Sequence, residues 1–248
     1  LAVSLNAMLS RMERLNEGLR QVSDNIAHDL KTPLTRLRNK AESALAGERD
    51  SQDYRLALEE VISESDQLIR TFNALLMISR VEAGSAAAEM SELDLSAIAA
   101  EFAELYEPVA EDQDMRLALA IEPGISVRGN RELIGQAIYN LIDNAIKYGE
   151  NRDRPEIEIS VRRADGQVLL TVADHGVGVP EDKREDVLKR FFRLDESRSK
   201  PGTGLGLSLA VAVMELHGGR IALAATDPDA VDNKGLAVTM IFPEEKLG

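Results

Sequence analysis

Leu5, Met8, Met12, Leu15, Leu19, Val22 and Ile26 follow one another at alternating intervals of three and four residues. That rhythm is a coiled-coil seam, and it commits the start of the chain to a helix that needs a helical partner. The polar stretch AGERDSQ at 46–52 breaks the pattern. A second stripe follows, with Tyr54, Leu58, Val61, Leu68, Phe72 and Leu75 in helical register, widened by Leu56, Ile62, Ile69 and Leu76. Two helices joined by a short turn predict an antiparallel hairpin. Each stripe is too apolar for one neighbour to satisfy, so a homodimer that buries both in a four-helix bundle is expected. VEAGSAAAEMSE at 81–92 reads as a glycine stop followed by a small-residue linker.

Beyond this point the periods are mixed. MRLALAI (115–121) alternates as a strand does, and RELIGQAIYNLIDNAIKYG (131–149) is an amphipathic helix closing at Gly149. IEISVRR and QVLLTVAD flank an Asp165-Gly166 turn and predict a hairpin over 157–174. LGLSLAVAVMELHGG is a further helix closed by Gly218, and RIALAAT and LAVTMIF are closing strands. Helices grouped against a mainly antiparallel sheet predict a two-layer α/β sandwich, which makes the whole chain α+β.

Composition narrows the function. The 248 residues are 44% hydrophobic but only 4% aromatic, without Trp, so the core must be built from Leu, Ile, Val, Ala and Met. A formal charge of −14 argues against a nucleic-acid partner, which needs a basic face. The absence of Cys removes thiol and disulfide chemistry. The histidines stand at 28, 175 and 217, with no HxH or HExxH spacing, so a structural zinc site is not expected. No apolar run reaches the length of a membrane span and no signal peptide is visible. The chain opens in helical rhythm without an initiator Met and reads as a soluble piece of something longer.

NIAHDLKTPLTRLR (25–38) departs from the coiled-coil pattern. With Leu5 at heptad position a, His28 falls at the outward position c and Asp29 at the inward position d. Pro33 removes a helical hydrogen bond and predicts a kink. An exposed histidine on a bent helix is the plain reading. The chemical reading is that a neighbouring carboxylate fixes the imidazole tautomer and supports the charge that develops when the other nitrogen attacks an electrophile. HDLKTPL resembles the H-box of bacterial sensor histidine kinases. The resemblance implies that His28 is the phospho-acceptor, Asp29 its supporting acid, and Thr32 the residue used in dephosphorylating the partner.

Three further stretches fit a nucleotide. Asn140 and Asn144 share one helix face with Lys147 nearby; Asn is a poor residue inside a helix, so a ligand is the alternative to a merely polar surface. DHGVGVP (174–180) ends a strand with an acid and two glycines, and its carboxylate could accept a hydrogen bond from an adenine amino group. GTGLGLSLA (202–210) is a glycine-rich loop opening a helix, whose free N–H groups attract phosphate; it has neither dinucleotide nor Walker spacing. These resemble the N, G1 and G2 boxes of the same family. On that resemblance Asn140 holds Mg²⁺, and Asn144, Lys147 and Tyr148 line the nucleotide. Asp174, with Gly176 and Gly178, reads adenine, although His175 stands where Asn is familiar. Thr203, Gly204, Leu205 and Gly206 cradle phosphate. FFRLDES (191–197) resembles the F-box, with Arg193 reaching the terminal phosphate, and the polar DESRSKP suits a mobile lid.

The resemblance covers nearly the whole chain. It implies the tail of a HAMP-type signal helix at 1–18, a dimerisation and histidine-phosphotransfer hairpin at 19–84, a linker at 85–92 and a catalytic ATP-binding domain at 93–248. That domain would have the GHKL (Bergerat) fold of gyrase, Hsp90 and MutL. The implied activity is autophosphorylation from ATP and Mg²⁺, transfer to an aspartate on a response-regulator receiver domain, and phosphatase action on that regulator. It also implies membrane spans and a sensor upstream, making this the cytoplasmic portion of a bacterial inner-membrane protein. Two alternatives stay open: a kinase-like scaffold without chemistry, and an ATPase or serine kinase on the same fold, against which HDLKTPL argues.

Overall fold

The computed structural model describes residues 34, 35, 37–39, 41–45, 53–59, 61, 62, 65, 68, 69, 72, 90–151, 153–194, 204–230 and 234–243. The chain divides into two compact units, Leu1–Ala83 and Gly84–Gly248. The seam from Leu5 to Ile26, the 46–52 turn, His28, Asp29, Thr32 and Thr203 lie outside the described residues.

In the first unit every described residue is helical. Arg38–Glu42 (2.7 Å) and Arg55–Glu59 (3.0 Å) are exposed pairs four residues apart. Leu58 and Ile62, on the second stripe, are 61% and 59% exposed in the single chain.

The second unit begins with strand β1 (Ser91–Asp94) and helix α1 (Leu95–Glu111), followed by β2 (Arg116–Ile121), β3 (Ser126–Gly129) and helix α2 (Arg131–Tyr148). Strands β4 (Glu156–Ala164) and β5 (Gln167–Asp174), helix α3 (Gly206–Leu216), and strands β6 (Arg220–Ala224) and β7 (Ala237–Phe242) complete it. One five-stranded sheet runs β2-β4-β5-β7-β6, parallel between β2 and β4 and antiparallel elsewhere. β1 and β3 form a separate antiparallel pair. β1 takes in Ser91 and Glu92, which the sequence assigns to the linker; their backbone groups are used by Gly129 and Arg128 across the pair.

Alternation decides which face of the sheet is covered. Ile157, Ile159 and Val161 of β4 and Val168, Leu170 and Val172 of β5 are buried, while Glu158 and Ser160 between them are only partly so. The buried face meets Ile134, Ile138, Leu141 and Ile142 of α2 and Leu209, Val213 and Met214 of α3, all at 5% exposure or less. Asp165 and Gly166 both have positive φ, 50° and 74°, the geometry a two-residue hairpin turn requires. Asp94 caps α1 through Ala97 N–H (2.9 Å), and Asn130 caps α2 through Leu133 N–H (3.1 Å). His217 is a structural residue: its Nδ1–H donates to Val213 O (2.7 Å) and its Nε2 accepts from Asn130 N–H (3.0 Å). Burial lowers its pKa, opposed by the Val213 bond, and both contacts suit the neutral ring.

Candidate nucleotide-binding site

Asp174 closes β5 and is 5% exposed. Its Oδ1 accepts from the backbone N–H of Gly176 (2.9 Å) and of Leu236 (3.3 Å). Burial pushes its pKa up to about 6; the Gly176 and Leu236 bonds and the charge of His175 oppose the rise. The segment just before β7 holds this strand end from the other side: Asp174 N–H donates to Leu236 O (3.0 Å) and Gly235 N–H to Gly176 O (2.9 Å).

Gly176 is required by close approach. A Cβ there would come within 2.1 Å of Tyr148 O and 2.8 Å of Gly149 Cα, so any side chain would push away the end of α2. The resemblance-derived residues Asp174, Gly176 and Tyr148 therefore meet at one corner. Gly178 has a φ of +73° and packs on Gly235.

The second corner lies where α2 meets α3. A Cβ on Gly206, the first residue of α3, would stand 3.3 Å from Asn144 Nδ2 and 3.5 Å from Asn140 Oδ1. The N-terminus of α3 thus adjoins the two asparagines, a polar setting suited to phosphate. Asn140 Nδ2 donates to Gln136 O (2.9 Å) inside its own helix, which leaves Oδ1 as the outward-facing donor atom. A hard carbonyl oxygen beside a phosphate-binding helix end fits Mg²⁺.

The remaining expected residues have separate settings. Lys147 Nζ pairs with Asp143 Oδ2 at 2.6 Å, four residues back on α2. Leu205 is buried and its carbonyl accepts from Leu209 N–H and the Ser208 hydroxyl, anchoring the start of α3. Gly204 (φ +69°) accepts at its carbonyl from Phe191 N–H (2.9 Å), and Phe191 itself has a φ of 60°. Arg193, two residues on, is partly buried. Gly149, Gly235 and Leu236 also shape the site, and local sequence carries no sign of it. Leu236 reaches Asp174 across 62 residues, and only strand pairing brings them together.

Comparison with known proteins now gives the class. Residues 18–84 match the His Kinase A (phospho-acceptor) domain, and residues 129–246 match the histidine kinase-, DNA gyrase B- and HSP90-like ATPase. The chain belongs to the histidine kinase family and joins a phospho-acceptor domain to a GHKL-type ATPase domain. Within that family it falls among the bacterial sensor kinases. Sensor protein IrlS of Burkholderia pseudomallei is 36% identical over 218 residues, 87% of this chain and 46% of that protein. Sensor-like histidine kinase SenX3 of Mycolicibacterium smegmatis is 32% identical over 216 residues, 86% of this chain and 56% of that one. The chain spans about half the length of the curated relatives it matches. Among solved structures, the mycobacterial sensor histidine kinase MprB is 28% identical with a TM-score of 0.54, covering 62% of this chain and 96% of that one. The Acinetobacter baumannii histidine kinase AdeS shares the fold at 20% identity and a TM-score of 0.64, covering 88% and 98%. Among the described residues, no helix is long and apolar enough to cross a membrane.

Proposed function

We propose that this chain autophosphorylates His28 from Mg²⁺-ATP and passes the phosphoryl group to an aspartate on a response-regulator receiver domain. One observation carries the reading: two asparagines of α2 face the N-terminus of α3 at Gly206, and the same helix ends against the buried carboxylate of Asp174. Asp174, a buried carboxylate, accepts from the adenine amino group. The Gly204–Gly206 amides, with Thr203, Asn144, Lys147, Tyr148 and Arg193, bind and align the triphosphate. Asn140 would hold Mg²⁺, which when bound neutralises charge on the phosphate oxygens. One ring nitrogen of His28 donates to Asp29, while the other attacks the γ-phosphorus in line as the bond to ADP breaks.

Thr32, four residues after His28 in the sequence, would orient a water toward the regulator's phospho-aspartate, giving the same site phosphatase activity. The exposed Leu58 and Ile62 support a homodimer that covers them. Full-length relatives named as sensors support an upstream sensor and a membrane anchor outside this stretch.

Incubation of the chain with Mg²⁺ and γ-labelled ATP tests the reading. The expected product is acid-labile label on the protein, absent from His28→Gln. Acid-stable label, or label that survives in His28→Gln, would refute it.

A further inference from the structure

We propose that Glu156, Glu158 and His175 form a second divalent-cation site, distinct from Asn140 and suited to a borderline ion of the Zn²⁺ class. Glu156 and Glu158 are two apart on β4, so they share one face of the strand. β4 pairs antiparallel with β5, with Ile157 opposite Asp174, so the next residue, His175, comes level with Glu156. One ligand atom from each of the three lies within 4.8 Å of the others.

The histidine is already oriented as a metal ligand. His175 is 1% exposed, and its Nδ1 stands 2.6 Å from Asp227 Oδ2. If Nδ1–H donates to that carboxylate, the Nε2 lone pair faces Glu158 Oε1 at 3.3 Å. Two lone pairs in that position repel unless a proton or a metal cation lies between them. The separation is close to the roughly 3.3–3.5 Å expected between two ligands on one tetrahedral ion with bonds of about 2.0–2.2 Å. A carboxylate behind an imidazole, with the other nitrogen turned toward a metal, is the common supporting arrangement for ligating histidines.

Charge points the same way. With the His175 ring neutral, three carboxylates, Glu156, Glu158 and Asp227, face two guanidiniums, Arg116 and Arg154, which leaves one negative charge for a cation to balance. Both arginines are at least half exposed, and exposed ion pairs are weak enough for a divalent ion to displace them. One imidazole with two carboxylates favours Zn²⁺, Co²⁺ or Ni²⁺ over the all-oxygen preference of Mg²⁺. No linear motif announces the site, because its ligands come from two strands and are joined only by register.

The test is a titration of the whole chain, freed of metal by chelation, with Zn²⁺ alone in competition with a chromophoric chelator. A His28→Gln background removes the third histidine from competition, since both ring nitrogens of His217 are held by Val213 and Asn130. The expected result is one ion per chain with micromolar or tighter affinity, unaffected by excess Mg²⁺. Co²⁺ should give the visible absorption of a four-coordinate N/O site. His175→Asn and Glu158→Gln should each weaken binding at least tenfold, while Asn140→Ala should leave it unchanged. Circular dichroism establishes that each variant is folded, and Glu158→Gln, at a partly exposed position, remains informative if His175→Asn unfolds. Failure of the parent chain to bind Zn²⁺, or equal binding by Glu158→Gln, would overturn the proposal and leave His175 as a ring held by hydrogen bonds between Asp227 and Glu158.

Discussion

Ile62, on the second helical stripe, has 59% of its surface exposed, whereas Ile138 of α2 has none. Both sit on apolar faces of helices. The difference lies in what the rest of the chain supplies. In the nucleotide unit, β4 and β5 present Ile159, Val161, Leu170 and Val172 as a covering layer, so α2 is satisfied within one copy. In the helical unit the described stripe has no such layer in the single chain. Self-sufficiency is therefore a property of each unit: one has a core of its own, and the other carries the proposed acceptor beside an apolar stripe that the proposed homodimer would cover.

The sharpest break between the units is chemical. His28→Gln should abolish phosphorylation completely and leave ATP affinity unchanged, as read by label incorporation and nucleotide titration on the same preparation. The next contrast is energetic. Ile138→Ala should cost the nucleotide unit about 2–5 kcal/mol at any protein concentration. Ile62→Ala should cost a single copy no more than about 0.5 kcal/mol and act by weakening dimerisation, so its effect on the melting midpoint should vary with concentration. Equal, concentration-independent losses from both would contradict the comparison.

Asp174 sharpens the picture inside the nucleotide unit. Asp174→Asn should weaken ATP binding by roughly 10- to 100-fold, the range expected for losing a hydrogen bond to a charged group. Stability should move the other way. The folded carboxyl has a pKa near 6 against 3.8 unfolded, so the folded state takes up its proton more readily. Its burial costs stability at neutral pH, and that cost is relieved as pH falls from about 6 toward 4. Without nucleotide, Asp174→Asn should therefore be at least as stable as the parent at pH 7.5 and should lack this relief on acidification. His217, whose pKa is lowered, acts with the opposite sign: its contribution is lost as pH falls below 6.5. Melting curves of parent and variant between pH 8 and 5 separate the two groups.

The smallest effect expected is at Thr32. Thr32→Ala should keep autophosphorylation within about tenfold, a loss of no more than roughly 1.4 kcal/mol, while dephosphorylation of the regulator falls much further. Parallel losses in both rates, together with a lower melting midpoint, would show that the residue only buttresses the turn before Pro33.

Local chemistry explains what the sequence made legible. Asp165-Gly166 is readable as a turn because few residue pairs accept two positive φ angles, and α2 is readable from its apolar period and its stop at Gly149. β1 and β3 are not readable: each has four residues, and they pair across a helix and another strand. α1 carries Pro108 within its last turns, which imitates a break. At the site, Asn140, Asn144 and Asp174 stand out because polar residues interrupt apolar patterns there. Leu236 and Gly235 do not stand out, since they contribute backbone groups, which any residue possesses. Asp227 beside His175 is hidden for a different reason, because a surface acid 52 positions away looks like any other.

The bonds from Leu236 and Gly235 to the end of β5 also have a consequence in time. β5 lies at the centre of the sheet, between β4, which precedes it in the chain, and β7, which follows some sixty residues later. During synthesis, β5 must wait with one edge bare until β7 has left the ribosome, and until then Asp174 lacks the amide that helps keep it charged. A nascent chain that already includes α2 still lacks one of the two amides that hold the carboxylate proposed to read adenine. On the proposed reading, nucleotide competence waits for β7.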